Sequence, residues 1–286
     1  MKKRVVIICI ALAAFIVSTA AALRISMAAI EADAHVYPDY PRLDIRHILS
    51  KEQLSEDDYI TLFYQTGLGR PAVDEIRSSG DDWARRILLF QDHFFRKVQY
   101  VCERNSPISR EESIIDENGR YIAGTEMAPL HEGYILVTKS SHTYGWRNGH
   151  SALVVDSTNG RTLESVVLGS NSSIQDISKW TNYPNFILLR LKNSTYEEME
   201  EIACTAQELL LDIPYDLTAG VFGPRPAGRD KVKGTHCSHL VWQACSYYGY
   251  DLDSDGGIIV TPKDIANSPE LEVVQVYGVY PGNIWP

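Results

Sequence analysis

The chain opens with three basic residues, Lys2, Lys3 and Arg4, followed by an uncharged apolar run from Val5 to Leu23. As a helix that run would extend about 28 Å, close to the hydrocarbon thickness of a bilayer. Residues 1–30 are therefore expected to be a signal peptide or an N-terminal membrane anchor. Ala20-Ala21-Ala22 offers the small residues of a signal-peptidase site, whereas the length of the run favours a retained anchor. Either alternative makes the remainder extracytoplasmic, secreted or held at the cell membrane, with the membrane as a partner of the N-terminal segment only.

Past this run the pattern becomes amphipathic. Residues 31–44, with Pro38 and Pro41, read as an extended linker. Ser55 followed by Glu56, Asp57 and Asp58 is an N-cap with acids in the first turn, and the helix it opens should end near Gly67. Pro71 suits the first turn of a second helix. From Asp81 to about Tyr100, the residues Trp83, Ile87, Leu88, Phe90, Phe94, Phe95 and Val98 form a helical apolar stripe, most simply core packing. The polar, acidic stretch from Glu103 to about Ala128 is expected to be a loop. Residues 31–128 are thus read as a linker and small helical region.

Beyond residue 128 the period shortens to that of strands. Gly133–Val137, His150–Asp156, Thr162–Leu168 and Phe186–Leu191 are β-rich runs divided by turn residues, which predicts an antiparallel sheet. Ser157-Thr158-Asn159-Gly160 is a hairpin signal, because Asn and Gly tolerate positive φ. A helix follows from Ser194 or Thr195, where Glu197 or Glu198 can close a capping box, presenting Met199, Ile202, Ala203, Ala206, Leu209 and Leu210 to one side until Pro214. A last helix starts at Cys237, continues its face with Val241, Ala244 and Tyr248, and ends at Gly249. The fold class is α+β, with the main domain at 129–286.

With 286 residues and 44% hydrophobic composition the chain has enough apolar material for a packed core. Its net charge of −10 and the lack of a basic stripe argue against nucleic acid as a partner. No Gly-rich phosphate loop occurs, and no cofactor is expected. Cys102, Cys204, Cys237 and Cys245 are too few to frame a disulfide mini-domain. Cys237 and Cys245 lie about 12 Å apart on one helix and cannot bridge, whereas Cys102–Cys204 and Cys204–Cys245 pairings stay open.

The chemistry concentrates in two half-motifs. In Gly234-Thr235-His236-Cys237-Ser238-His239-Leu240-Val241-Trp242 a glycine-led turn delivers a thiol into the first turn of a helix, where unpaired N–H groups and the helix dipole favour thiolate. In Gly149-His150-Ser151-Ala152-Leu153-Val154 a histidine stands at the mouth of a strand. Together they point to a cysteine nucleophile with a histidine base. A third group should hold that base, and Glu164 is the best placed. A three-residue loop over Thr158–Gly160 would set Glu164 opposite Val154, on the same face as His150 but roughly 13 Å along the strand from it. Three rivals need comparison. His236, Cys237 and His239 could bind zinc but lack a full ligand set. His142 could serve as base, but it lies in a Ser-Ser-His-Thr loop. Asp251-Leu252-Asp253-Ser254-Asp255-Gly256 matches the start of a calcium loop, with Pro262 where an EF-hand needs its bidentate glutamate.

The motifs Gly133-Tyr134-Ile135-Leu136, Gly149-His150-Ser151-Ala152-Leu153-Val154, Leu163-Glu164, Ile213-Pro214-Tyr215-Asp216, Cys237-Ser238-His239-Leu240-Val241-Trp242 and Thr261-Pro262-Lys263-Asp264-Ile265 occur in an order that resembles YaeF/YiiX-type enzymes. These are circularly permuted papain-fold relatives of NlpC-type cell-wall peptidases. The resemblance covers about residues 130–276. It implies a permuted papain-like domain with an antiparallel sheet and a catalytic helix, a catalytic Cys237 and His150, Glu164 as orienting residue, and Tyr215 at the substrate. Two positions depart from the pattern: Tyr134 where an acidic residue is often found, and His239 where glutamate is common. With the export signal, the resemblance implies a cysteine peptidase or amidase acting on peptidoglycan stem peptides through a thioester. A lecithin-retinol-type acyltransferase on a lipid or amine substrate, and a catalytically silent binding module, are the alternatives.

Overall fold

Capping chemistry sets the first half of the molecule. A computed structural model describes residues 2–31, 34–80, 82–221 and 232–286. Helix α1 spans Lys2–Glu31, and Ile8, Leu12, Phe15 and Ile16 on it are exposed. Among the described residues no helix is long and apolar enough to cross a membrane. Helices α2 (Arg46–Leu49), α3 (Glu56–Thr66), α4 (Arg70–Ser78) and α5 (Trp83–Phe94) follow. At α3, Ser55 and Asp58 form a reciprocal capping box, and Lys51 Nζ donates to the buried Asp58 at 2.7 Å. That helix ends at Gly67 in the left-handed conformation.

Two expectations for this half need correction. Helix α5 stops at Phe94, short of Tyr100, and Asp81 lies outside the described residues. The stretch read as an acidic loop holds strands β1 (Gln99–Arg104) and β2 (Ser109–Ile115), paired antiparallel with Cys102 opposite Glu112. The alternation was hidden because only two positions of β2 are fully buried, and one of them is Glu112. Residues 34–44 also pack on the body: Ala34 and His35 are buried, and Val36 N–H donates to Gly278 O at 3.0 Å.

The remaining elements are β3 (Ile135–Thr138), β4 (Ser141–Thr143), β5 (His150–Asp156), β6 (Arg161–Glu164), β7 (Ser173–Asp176), α6 (Ser178–Asn182), β8 (Phe186–Leu191), α7 (Tyr196–Leu210), α8 (Cys237–Ser246), α9 (Pro262–Ala266) and β9 (Leu271–Tyr277). A six-stranded antiparallel sheet runs in the order β7-β6-β5-β3-β8-β9, and β1-β2-β4 form a second sheet. The fold is thus α+β with antiparallel sheets. Its central strands are buried along their length, and α7 and α8 pack on β5. Ile45, Leu62, Val73, Ile76 and Phe90 from the helical region join the same continuous core as Ile135, Leu153 and Leu188.

The turn between α3 and α4 closes one side of the large sheet. Val276 N–H donates to Gly67 O at 2.7 Å, and Gly69 N–H donates to Val274 O at 2.8 Å. A Cβ on Gly67 or Gly69 would lie 2.1 Å from Val276 O or 1.9 Å from Val273 O, so only glycine permits this approach. Neither of the open disulfide pairings, Cys102–Cys204 or Cys204–Cys245, forms in the structure.

Candidate active site

The site is built where α8 begins. Thr235 is held by a parallel bridge to Tyr215, with Thr235 N–H donating to Pro214 O at 3.0 Å and Asp216 N–H to Thr235 O at 2.8 Å. His236 then takes the N-cap position in extended backbone, and its Nδ1 accepts the His239 N–H at 3.4 Å. Cys237 is the first helical residue and half-buried, in the part of a helix where free N–H groups stabilise an anion. Ser238 Oγ donates to Val260 O at 2.9 Å, tying that first turn to the segment leading into α9.

His150 opens β5, opposite Thr138 of β3, after Gly149 with φ +78°. Its ring is buried and stacks on Trp180 at 5.6 Å between centroids. His150 Nε2 donates to Glu164 Oε2 at 2.7 Å. The thiol of Cys237 is hydrogen-bonded to the same imidazole, and because Nε2 is engaged the nitrogen at the sulfur is Nδ1. The structure therefore brings Cys237, His150 and Glu164 into one chain of hydrogen bonds.

The hairpin register explains how Glu164 reaches His150. Val154 pairs with Thr162 rather than with Glu164, the loop runs over residues 157–160, and a bulge lies between Val154 and Asp156. Continued toward His150, this register places Glu164 level with Ala152, about 7 Å along the strand from His150 instead of 13 Å. The expected pairing was thus two residues off, which preserved the face and overstated the gap. Glu164 is fully buried and all its acceptor capacity is used: Oε1 accepts Thr162 Oγ1 at 2.6 Å and Trp180 Nε1 at 3.0 Å, while Oε2 also accepts Lys179 Nζ at 2.6 Å.

These contacts set the charge states. Burial pushes the Glu164 carboxyl up, but the His150 hydrogen bond and the charges of His150 and Lys179 outweigh it and hold the group down at about 2. Burial pushes His150 down, and its bonds to Cys237 and Glu164 more than reverse this, raising it to about 9. The Cys237 thiol, though burial opposes ionisation, is drawn well below the usual thiol range by hydrogen bonds and charge from His150 and His236. Both directions favour a thiolate–imidazolium pair braced by a carboxylate. A pair of this kind is suited to nucleophilic attack on a carbonyl, followed by proton donation to the departing group.

Tyr215 lies beside the thiol, raised above its ordinary range by burial and by the charge of Cys237. His142, weighed as a rival base, is not in a loop. It sits on β4, with Nε2 bonded to Glu112 at 3.1 Å and Arg147 clamping the same carboxylate at 2.6 and 2.7 Å, in a separate buried network. Among the described residues, the groups close enough to share an ion are Cys102–Glu112–His142 and Asp253–Asp255–Asp264. Asp251 instead accepts Trp242 Nε1 at 2.7 Å, and Asp264 serves as partner to Thr261 in the capping box of α9. His239 faces Thr235, with Nδ1 3.1 Å from the hydroxyl.

Sequence reasoning did not identify Thr162, Lys179 and Trp180, and weighed His236 only as a zinc ligand. Thr162 was accessible, since it lies two residues from Glu164 on the same strand face. Lys179 and Trp180 come from α6, a five-residue helix without a capping signal.

Neither a protein-family model nor a curated protein matches the chain. Among solved structures, it is similar to the crystal structure of the metalloprotein YiiX from Escherichia coli O157:H7, at 15% identity and a TM-score of 0.40. That match covers 51% of this chain and 97% of the other.

Proposed function

We propose that the protein is an exported cysteine hydrolase that cleaves amide bonds in peptidoglycan stem peptides. The observation carrying this reading is the Cys237–His150–Glu164 chain of hydrogen bonds, with the thiol at a helix N-terminus and the imidazole fixed on its other nitrogen. The Cys237 thiolate attacks the amide carbonyl carbon, and the Cys237 backbone N–H helps hold the oxyanion. His150 gives its proton to the leaving nitrogen, so the C–N bond breaks as the thioester remains. Water then loses a proton to His150 and attacks the thioester carbonyl, releasing the acid and restoring the sulfur.

Glu164 keeps the proton on Nε2 and the ring facing the sulfur. Tyr215 lines the approach for substrate. The permuted papain-like fold and the cell-wall substrate rest on the motif resemblance, and export rests on Lys2–Arg4 and the apolar run behind them. The test is to digest purified peptidoglycan with the wild type and with Cys237→Ala and compare fragments by mass. Stem-peptide fragments absent from the variant support the reading. Identical digestion by both, or acyl transfer from a lipid donor to an amine in preference to hydrolysis, rejects it.

A further inference from the structure

The small sheet gathers a thiol, a carboxylate and an imidazole that the proposed hydrolysis does not use. Cys102 on β1 stands opposite Glu112 on β2, and β2 pairs in turn with β4, which carries His142. The Cys102 sulfur, a carboxylate oxygen of Glu112 and a ring nitrogen of His142 all lie within 4.8 Å of one another. His142 Nε2 is 3.1 Å from Glu112 Oε1. Nitrogen and oxygen ligands about 2.0–2.2 Å from one zinc ion stand roughly 3–3.5 Å apart at near-tetrahedral angles, so this pair already has the spacing of coordination. Glu112 and His142 are buried whereas Cys102 is exposed, so packing holds two ligands and the third faces the water from which an ion arrives.

We infer that Cys102, Glu112 and His142 form a zinc-binding site that fastens the outer strand β1 to β2 and β4. A thiolate and an imidazole select zinc over magnesium or calcium, which take oxygen ligands. Arg147 does not stand in the way. Glu112 Oε1 has two lone pairs and accepts both Arg147 Nη2 at 2.7 Å and His142 Nε2. An ion that replaces the imidazole proton takes the second lone pair and leaves the guanidinium to orient the carboxylate from outside. His142 Nδ1 is buried without a hydrogen-bond partner whichever nitrogen carries the proton, so moving the proton there creates no new unsatisfied atom. On binding, the thiol gives its proton to water, the imidazole proton passes from Nε2 to Nδ1, and a water molecule fills the fourth position. The site shares no residue with the Cys237 centre and does not depend on its chemistry.

The test uses the full chain with reduced thiols and takes Cys237→Ala as parent, so that the sulfur beside His236 and His239 cannot supply the ligand. After incubation with zinc chloride and gel filtration in metal-free buffer, the parent is expected to retain about one zinc ion per chain. Cobalt(II) in place of zinc should give a thiolate-to-cobalt charge-transfer band. Adding Cys102→Ser should abolish that band and weaken zinc binding at least tenfold, to judge by the roughly 10–100-fold that even outer-shell changes cost, whereas adding Cys204→Ser should do neither. Because Cys102 is exposed, its serine variant should melt with the parent when metal is absent, which separates lost binding from lost folding. Nitrogen-15 NMR of the parent adds a check that needs no further substitution: the Nε2 resonance of His142 should shift on addition of zinc. No retained zinc, a cobalt spectrum without the thiolate band, equal zinc affinity in the Cys102→Ser variant, or an unmoved His142 resonance would each overturn the inference.

Discussion

Lys179 and His150 meet on the same oxygen of Glu164, Lys179 Nζ at 2.6 Å and His150 Nε2 at 2.7 Å from Oε2. Two cations thus share one carboxylate, and each moderates the other's hold on it. Lys179→Met should leave His150 as the cation on Glu164, beside the neutral Thr162 and Trp180 donors, and move the imidazole's titration above about 9. Because Lys179 is 30% exposed, the shift should stay within about one pH unit and shrink in high salt. A nitrogen-15 NMR titration of His150 would record it. Glu164→Gln should have the larger effect, a fall in hydrolytic rate of about 10²-fold or more, because a neutral amide no longer supports the imidazolium.

Stability toward acid follows from the same carboxylate. Its folded-state pKa of about 2 lies below its ordinary 4.5. The stabilisation it provides is therefore complete above about pH 4.5 and is lost as pH falls through about 2. Thermal melts from pH 2 to 6 should show the wild type losing stability across that window, and Glu164→Gln should flatten that part of the curve. An unchanged acid limb in the variant would assign acid unfolding to other groups.

The thiols of one chain make an internal comparison. Cys245 is buried and pushed up to about 12, whereas Cys237 is held well below the usual range. Iodoacetamide at pH 6 should therefore modify Cys237 ahead of Cys245, and also ahead of Cys102 and Cys204, which are exposed but stand outside this hydrogen-bonded pair. Peptide mapping after brief labelling measures the order. Equal labelling of Cys237 and Cys204 would contradict the ion pair.

A buried charge elsewhere predicts a structural loss. Glu112 and Arg147 are 3% and 4% exposed and bonded through both guanidinium ends. Arg147→Met should destabilise the protein by about 3–5 kcal/mol, since it leaves a buried carboxylate with His142 but without its guanidinium counter-charge. Adding Glu112→Gln should recover part of that in a denaturant titration.

Gly149 predicts a coupling between backbone and site. A Cβ there would sit 2.4 Å from the Trp285 ring and 2.6 Å from Thr138 O, at φ +78°. Gly149→Ala should cost about 1–3 kcal/mol and displace His150, the next residue, lowering the alkylation rate of Cys237 at pH 6.

Much of this organisation is legible in the sequence because local chemistry and packing agree. Ser55, Gly67 and Thr195 sit at the helix ends that capping rules indicate, and His150–Asp156 and Phe186–Leu191 are strands with the bounds their apolar runs suggest. Where the inward residue is charged, the pattern fails. Strand β2 was obscured because Glu112 points in, and His142 looked loop-bound because its strand is three residues long. The nucleophile–base pair was suggested by residue type and setting, whereas the distance between His150 and Glu164 depended on a bulge that no composition rule announces. His236 was weighed only as a zinc ligand for a different reason: imidazole seldom caps helices, so a propensity table gives it no weight at the N-cap it occupies.

Because the Gly67–Gly69 turn lies along β9, the outermost strand of the large sheet, the helical region has a protective duty beyond filling the core. An expression fragment starting near residue 129 would leave that strand's hydrogen-bonding groups without cover, inviting a neighbouring molecule to dock there and fibrils or precipitate to grow. Biochemical work on the thiol chemistry is accordingly best done with residues 34–128 attached, and a protease nick at the Gly67–Gly69 turn should show up first as clouding of the solution.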